Sequence, residues 1–142
     1  MRKLLALLLA ALLLAGCAAN GSDDDVVEIE DRFFLTQVNH IWRNTDEYVG
    51  RTIRYEGMFR AFYWPATGLF YMVHRYTLGC CGNDGITGFE VYLGDIEPFA
   101  DDTWVEVDGI LEWYETDTLR ILRVAATSIT ELEERGREVV LQ

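Results

Sequence analysis

The spacing of apolar residues changes near residue 50. Before that point apolar side chains recur at Phe34, Leu35, Val38, Ile41 and Trp42. The spacing i, i+1, i+4, i+7, i+8 is the buried stripe of an amphipathic helix. The following segment, residues 44–47, resembles a capping box and predicts a short helical turn that ends at Gly50.

Beyond Gly50 apolar and polar residues alternate with a period of two, and aromatic residues become frequent. This alternation predicts five strands, which are Thr52–Phe62, Gly68–Leu78, Thr87–Leu93, Thr103–Tyr114 and Thr118–Ile129. Turn residues separate the segments, and no second run of helical periodicity follows.

Two of the predicted strands share one local pattern. Around Gly57 and Gly109 the order is apolar, polar, apolar, acid, glycine, apolar. A glycine inside a strand is typical of a bulge that bends the strand in a small barrel. We therefore expect a mainly β fold, a five-stranded OB-like small barrel with one N-terminal amphipathic helix at its end. A small β-sandwich is the alternative.

The N-terminus is typical of an export signal. Arg2 and Lys3 precede an apolar run from Leu4 to Leu14 that spans 11 residues, and a bilayer needs about 20. Residues 14–17, Leu-Ala-Gly-Cys, resemble the bacterial lipobox, in which the cysteine receives a diacylglyceride and its freed amine an acyl chain such as palmitate. Residues 1–16 are thus predicted to be a lipoprotein signal peptide, with Cys17 lipidated. The alternative is ordinary secretory cleavage near Ala18-Ala19.

The predicted domain organisation follows from the anchor. Residues 17–26 are small, polar and acidic after Cys17, which predicts a flexible tether. Residues 27–142 form a single domain. Two or three acyl chains anchor a protein stably, so we expect extracytoplasmic localisation on the cell membrane.

Charge excludes one class of partner. The whole chain carries a formal net charge of −12. Without residues 1–16, 24 acidic residues face 10 arginines and no lysine, a difference of −14. Such a surface repels phosphate backbones, so nucleic acid is not an expected partner.

Cys80 and Cys81 are the only thiols after Cys17. Their Cα atoms are about 3.8 Å apart across a trans peptide, closer than a relaxed disulfide requires. Metal binding is one hypothesis, with Cys80, Cys81 and Asp84 as ligands for Zn or Cu(I). A redox role and structural burial remain the alternatives. His74 lies six residues away, roughly 20 Å along a strand, and His40 lies on the predicted helix.

Catalytic motifs are not found in the sequence. Ser128 is the only serine after the tether, and neither a linked nucleophile motif nor a phosphate-binding glycine loop is present. We therefore expect a non-enzyme without a cofactor, apart from a possible Zn. The aromatic residues of the first predicted hairpin exceed what one face can bury, which suggests that part of them meets a partner.

Four stretches carry a family resemblance: residues 41–53, residues 56–58, the Cys80-Cys81 pair with Asp84, and residues 103–109. They are similar to the C-terminal domain of the small subunit of two-component permeases, a bacterial domain of unknown function. The similarity covers Phe34 to Ile129. It implies an extracytoplasmic OB-like domain, no established enzymatic activity, and a multi-spanning permease subunit as partner, handling metals or other small solutes.

The chain departs from that family pattern at three places. A lipobox stands where family members carry membrane spans, residues 82–86 are rich in glycine and lack proline, and a proline-tyrosine ending is missing. Together the sequence predicts a membrane-anchored lipoprotein that acts as a non-catalytic binding or interaction module accessory to a permease. The alternative is a metal-handling protein that uses Cys80 and Cys81.

Overall fold

The computed structural model describes residues 25–79 and 82–141, and for residues 82–84 it describes the backbone alone. The predicted signal peptide and lipidated Cys17 lie outside the described residues, as do Cys80 and Cys81. The strands are β1 (Val26–Ile29), β2 (Thr52–Trp64), β3 (Gly68–Gly79), β4 (Gly82–Tyr92), β5 (Thr103–Glu115), β6 (Arg120–Glu131) and β7 (Val139–Val140).

The prediction of a mainly β fold is confirmed. The strands form one sheet in the order β1-β2-β5-β6-β4-β3-β7, and β2 also pairs with β3. Hydrogen-bonded pairing therefore runs in a closed circuit through the five long strands. Within that circuit only the β4–β6 pairing is parallel.

The five long strands correspond to the five predicted segments, and two short strands add to them. β1 pairs in parallel with the start of β2, and β7 pairs in parallel with the end of β3. Strands of four and two residues are too short to show a period, so the sequence pattern does not reveal them. β4 begins at Gly82, five residues before the predicted Thr87, because the ladder with β3 continues to the pair Gly79 and Gly82.

One of the two predicted bulges is confirmed. The β5–β6 register shifts between Asp108 and Gly109. The prediction of a bulge at Gly57 is wrong, since its register with Val105 is uninterrupted. Glycine is needed at position 57 because a Cβ there would lie 2.8 Å from the backbone oxygen of His74.

The segment between β1 and β2 is mostly helical. A 3-10 turn (Asp31–Phe33) leads into helix α1 (Phe34–Arg43), and helix α2 (Thr45–Tyr48) follows. α1 covers the segment in which the apolar stripe lies, and it buries Phe34, Val38 and Ile41. No helix within residues 25–79 and 82–141 has the length and apolarity to cross a bilayer.

The core lies between the strands and α1. Its buried side chains come from alternate positions of the long strands, among them Ile53, Tyr55, Phe59, Val73, Phe89, Val91, Val105, Val107, Leu111 and Val124. Phe34 of α1 meets Tyr55, with ring centroids 6.0 Å apart. Trp42, which is partly exposed, stacks on Phe89 at 5.8 Å. α1 therefore packs onto the core through its apolar stripe.

Arg75 fills the place where β2 changes neighbours. One edge of β2 pairs with β1 up to Tyr55 and with β3 from Met58 onward. The buried guanidinium of Arg75 lies at this gap, where Nε donates to the Glu56 carbonyl at 2.9 Å and Nη1 donates to Asp31 at 2.5 Å. Arg75 also lies 4.2 Å from the ring centroid of Phe34. This one side chain thus joins β2, β3 and the turn after β1.

Candidate functional site

A cleft of about 450 Å³ opens between two hairpin turns. The turn between β2 and β3, represented by Ala66 and Thr67, forms one wall, and Thr116 after β5 forms the other. Residues near the end of β4 line the cleft between them. A cleft of this volume is in the range of sites for small organic ligands.

Arg123 is the cation of the cleft. Its guanidinium carbon lies 4.3 Å from the ring centroid of Tyr92 and 4.0 Å from that of Tyr114. Nε donates to Oε1 of Glu112 at 2.8 Å. Within the described residues this is the hydrogen bond that Arg123 makes, and it leaves both Nη groups as donors. Two tyrosine rings and an ion pair therefore fix the guanidinium in one orientation.

Glu90 brings a carboxylate to the same cleft. It lies beside Arg123 because the parallel β4–β6 ladder pairs the two residues. Burial raises the pKa of Glu90, and the charge of Arg123 acts in the opposite direction. The cleft therefore offers donors from Arg123, an acceptor from Glu90 and the phenol groups of Tyr92 and Tyr114, which together suit a small polar solute.

The start of β1 lies at different distances from the two walls of the cleft. β1 is parallel to β2 and begins level with Thr52, whereas the β2–β3 turn follows Trp64. Twelve residues at about 3.3 Å each separate these levels by roughly 40 Å along the strand. In the β2–β5 ladder, however, Thr52 pairs with Ile110, so Thr116 lies beyond the level at which β1 begins. The start of β1 is therefore remote from one wall of the cleft but not from the other.

Arg120 provides a natural comparison with Arg123. Its guanidinium lies 4.2 Å from the ring centroid of Trp113, and Nε pairs with Glu115 at 2.9 Å. It has the same chemistry of cation, ring and carboxylate, but its side chain is 57% exposed and does not line the cleft. Replacing Arg120 therefore removes an arginine that stacks on a ring without changing the cleft, and it serves as a control for replacing Arg123.

His74 lies far along β3 from Gly79, the last described residue before Cys80. β3 is a continuous strand to Gly79, so the five residues from His74 separate the two by roughly 17 Å. His40 lies on α1, with its ring 5.8 Å from that of Tyr48. Asp84 belongs to β4, and its side chain is outside the described atoms. Among residues 25–79 and 82–141, no group of three or more His, Cys, Asp or Glu side chains is arranged to hold a metal.

The sequence pattern missed the cleft. Tyr92 and Tyr114 stand at the ends of predicted strands, and Arg123 lies in the middle of another. No local signal connects these positions, because the closed pairing of β3, β4, β5 and β6 brings them together. The one indication was the excess of aromatic residues in the first hairpin, of which Phe70 and Tyr71 line the cleft.

The comparisons with known proteins give one match. The model of the DUF1980 C-terminal domain matches residues 14–138, which is most of the chain. No curated protein and no solved structure shows significant similarity to the chain. The chain therefore belongs to the DUF1980 C-terminal domain family.

Proposed function

We propose that this protein is a lipid-anchored extracytoplasmic module that binds a small solute in the cleft between its two hairpin turns and performs no catalysis. The observation that carries this proposal is the cleft itself, with Arg123 held between Tyr92 and Tyr114 beside Glu90. The set combines fixed donors, an acceptor and apolar ring faces, which is the usual composition of a solute site.

The closed circuit of pairing supports an OB-like barrel as the scaffold. Five long strands with a single parallel contact, and a helix against the core, are the features of that fold. Barrels of this kind bind ligands across strands near the loops that frame one face. The cleft occupies the corresponding place between two hairpin turns.

The lipobox at Cys17 supports the anchored location. The family resemblance supports a multi-spanning permease as the partner that receives the solute. In this proposal the lipid anchor keeps the binding domain close to that permease.

Thermal unfolding with a panel of solutes tests the cleft. The full chain, purified in detergent, is mixed with small carboxylates, amino acids, amines and neutral sugars at 10 mM each. Ligand at about 100 times its Kd stabilises the folded state by about 2.7 kcal/mol, and a domain of this size gains about 4 °C in Tm per kcal/mol. We expect at least one class to raise Tm by several degrees.

The arginine pair supplies the control. Arg123→Ala should abolish the shift in Tm, whereas Arg120→Ala should preserve it, because only Arg123 lines the cleft. A panel without any shift, or an equal loss in both variants, would contradict the proposal.

A further inference from the structure

We propose that Met58, Met72 and His74 form a binding site for a soft monovalent metal ion, Cu(I). The site lies on β2 and β3, outside the cleft, and does not depend on the solute-binding role. It uses neither of the cysteines that the sequence suggested as ligands.

The register of the β2–β3 ladder places these three residues together. Met58 is the direct partner of His74, and direct partners in an antiparallel pair have Cβ atoms about 4.5–5.5 Å apart on one face. Met72 precedes His74 by two residues, so it projects from the same face about 6.6 Å along the strand. The chain holds three methionines, and the third is Met1. Both methionines of the domain therefore flank its one buried histidine.

His74 has an unusual environment. Its side chain is fully buried, at 0% exposure, and neither Nδ1 nor Nε2 has a hydrogen-bond partner in the described part of the chain. Burying a polar group without a partner costs about 1–3 kcal/mol, so such a group requires an explanation. A neutral imidazole with a free lone pair is the form that binds metal ions.

Aromatic rings surround the imidazole on two sides. The ring centroid of Phe62 lies 5.8 Å from that of His74, and the centroid of Tyr76 lies at 5.4 Å, both edge-on. The hydroxyl of Tyr76 accepts a hydrogen bond from Arg60 at 3.2 Å and is therefore directed to that guanidinium. Aromatic rings thus lie on two sides of His74, and the Arg60 guanidinium is close enough for its charge to act on the imidazole.

This donor set selects the metal. Thioether sulfur is a soft ligand that favours Cu(I), whereas Zn prefers thiolate, imidazole and carboxylate. Glu90 lies opposite Met72 on β4, but the direct partner of His74 on that strand is Gly88. Met72 is half-buried, while Met58 and His74 are buried, so the ion would enter at Met72.

Anaerobic competition for Cu(I) against bicinchoninate tests the site. The full chain in detergent carries Cys17→Ser, Cys80→Ser and Cys81→Ser, so that thiolates cannot bind the metal. We expect one equivalent of Cu(I), with binding weakened at least tenfold by His74→Gln or Met58→Leu and less by Met72→Leu. Leucine and methionine have similar volumes, so the methionine variants keep the core packed.

His40→Gln is the matched control, because His40 is the only other histidine and lies on α1. It should leave Cu(I) binding unchanged, as should Arg120→Ala, since Arg120 lines neither the cleft nor the β2–β3 site. Sulfur scattering in the Cu X-ray absorption spectrum should persist in the serine background and decrease in Met58→Leu. If the serine variant does not fold, the chain with alkylated thiols replaces it.

Two results would overturn the inference. One is less than about 0.1 equivalent of Cu(I) per folded chain, which would leave His74 as a buried packing residue. The other is binding that survives both His74→Gln and Met58→Leu. Neither result affects the solute-binding proposal, which the Arg123 and Arg120 variants test separately.

Discussion

Replacing Gly109 by alanine tests how closely β5 and β6 approach at the bulge. A Cβ at position 109 would lie 2.4 Å from the backbone oxygen of Ala125 and 2.6 Å from Cγ1 of Val124. This oxygen belongs to β6, which is paired with β5 both before and after this contact. No change of rotamer can relieve this clash, so the two strands must separate by about 1 Å to restore an ordinary contact.

The cost follows from that separation. Overpacking costs about 1–3 kcal/mol, and each ladder hydrogen bond that is weakened adds about 0.5–1.5 kcal/mol. Alanine also lowers the conformational entropy of the unfolded chain, which offsets this loss of stability by about 0.4–1 kcal/mol. We expect Gly109→Ala to lower the free energy of unfolding by about 2–3 kcal/mol, and Gly109→Val to lower it further through Val124.

Equilibrium unfolding in urea measures this loss, with Gly68→Ala as the matched control. Gly68 has a positive φ of 78°, but a Cβ there would meet nothing within 4 Å. Its substitution therefore adds only backbone strain, about 1 kcal/mol. If Gly109→Ala leaves the urea midpoint unchanged, or costs less than Gly68→Ala, the close approach at the bulge is refuted.

Four further predictions address the anchor, the gap beside β2 and the thiols. Cys17→Ala should release the chain from carbonate-washed membranes, and continued sedimentation with them would contradict lipidation. Arg75→Met should lower the free energy of unfolding by about 3 kcal/mol in urea, because the carboxylate of Asp31 and the Glu56 carbonyl lose their partner; an unchanged midpoint would disprove this role. Partial burial alone would raise the pKa of Asp31, but hydrogen bonds from Arg137 and Arg75 and their charges outweigh it and hold that pKa below its usual range. The ionised carboxylate therefore stabilises the fold above about pH 4, and that stabilisation is lost as pH falls through the folded-state pKa. Asp31→Asn should have a lower free energy of unfolding than wild type at neutral pH, and this difference should shrink as pH falls through the folded-state pKa of Asp31. A difference that stays constant with pH would contradict this. If Cys80 and Cys81 are structural, the native chain should resist a thiol-labelling reagent until it unfolds, whereas rapid labelling would favour an exposed role.

The candidate sites were predicted only where the chemistry is local in sequence. The lipobox is four consecutive residues, and the cysteine pair is two, so both stand out without a structure. The cleft and the Met58–His74 pair are different, because their members come from separate strands. A one-residue change of register would move each side chain to the opposite face, and the alternation of polar and apolar residues does not report which strand is the neighbour.

Periodicity along the chain was enough to predict the mainly β character, the position of the apolar stripe of α1, and the approximate extents of the long strands other than the start of β4. These features follow from periods of 3.6 and 2 that are repeated over about seven to twelve residues, and tertiary contacts need not be known to detect them. Only the tertiary structure decided that β2 pairs with β3 as well as β5, that β1 and β7 extend the sheet, and that Arg123 lies between Tyr92 and Tyr114. The physical reason is that strand pairing is chosen by packing and backbone hydrogen bonding over the whole domain, to which residues far apart in sequence contribute together.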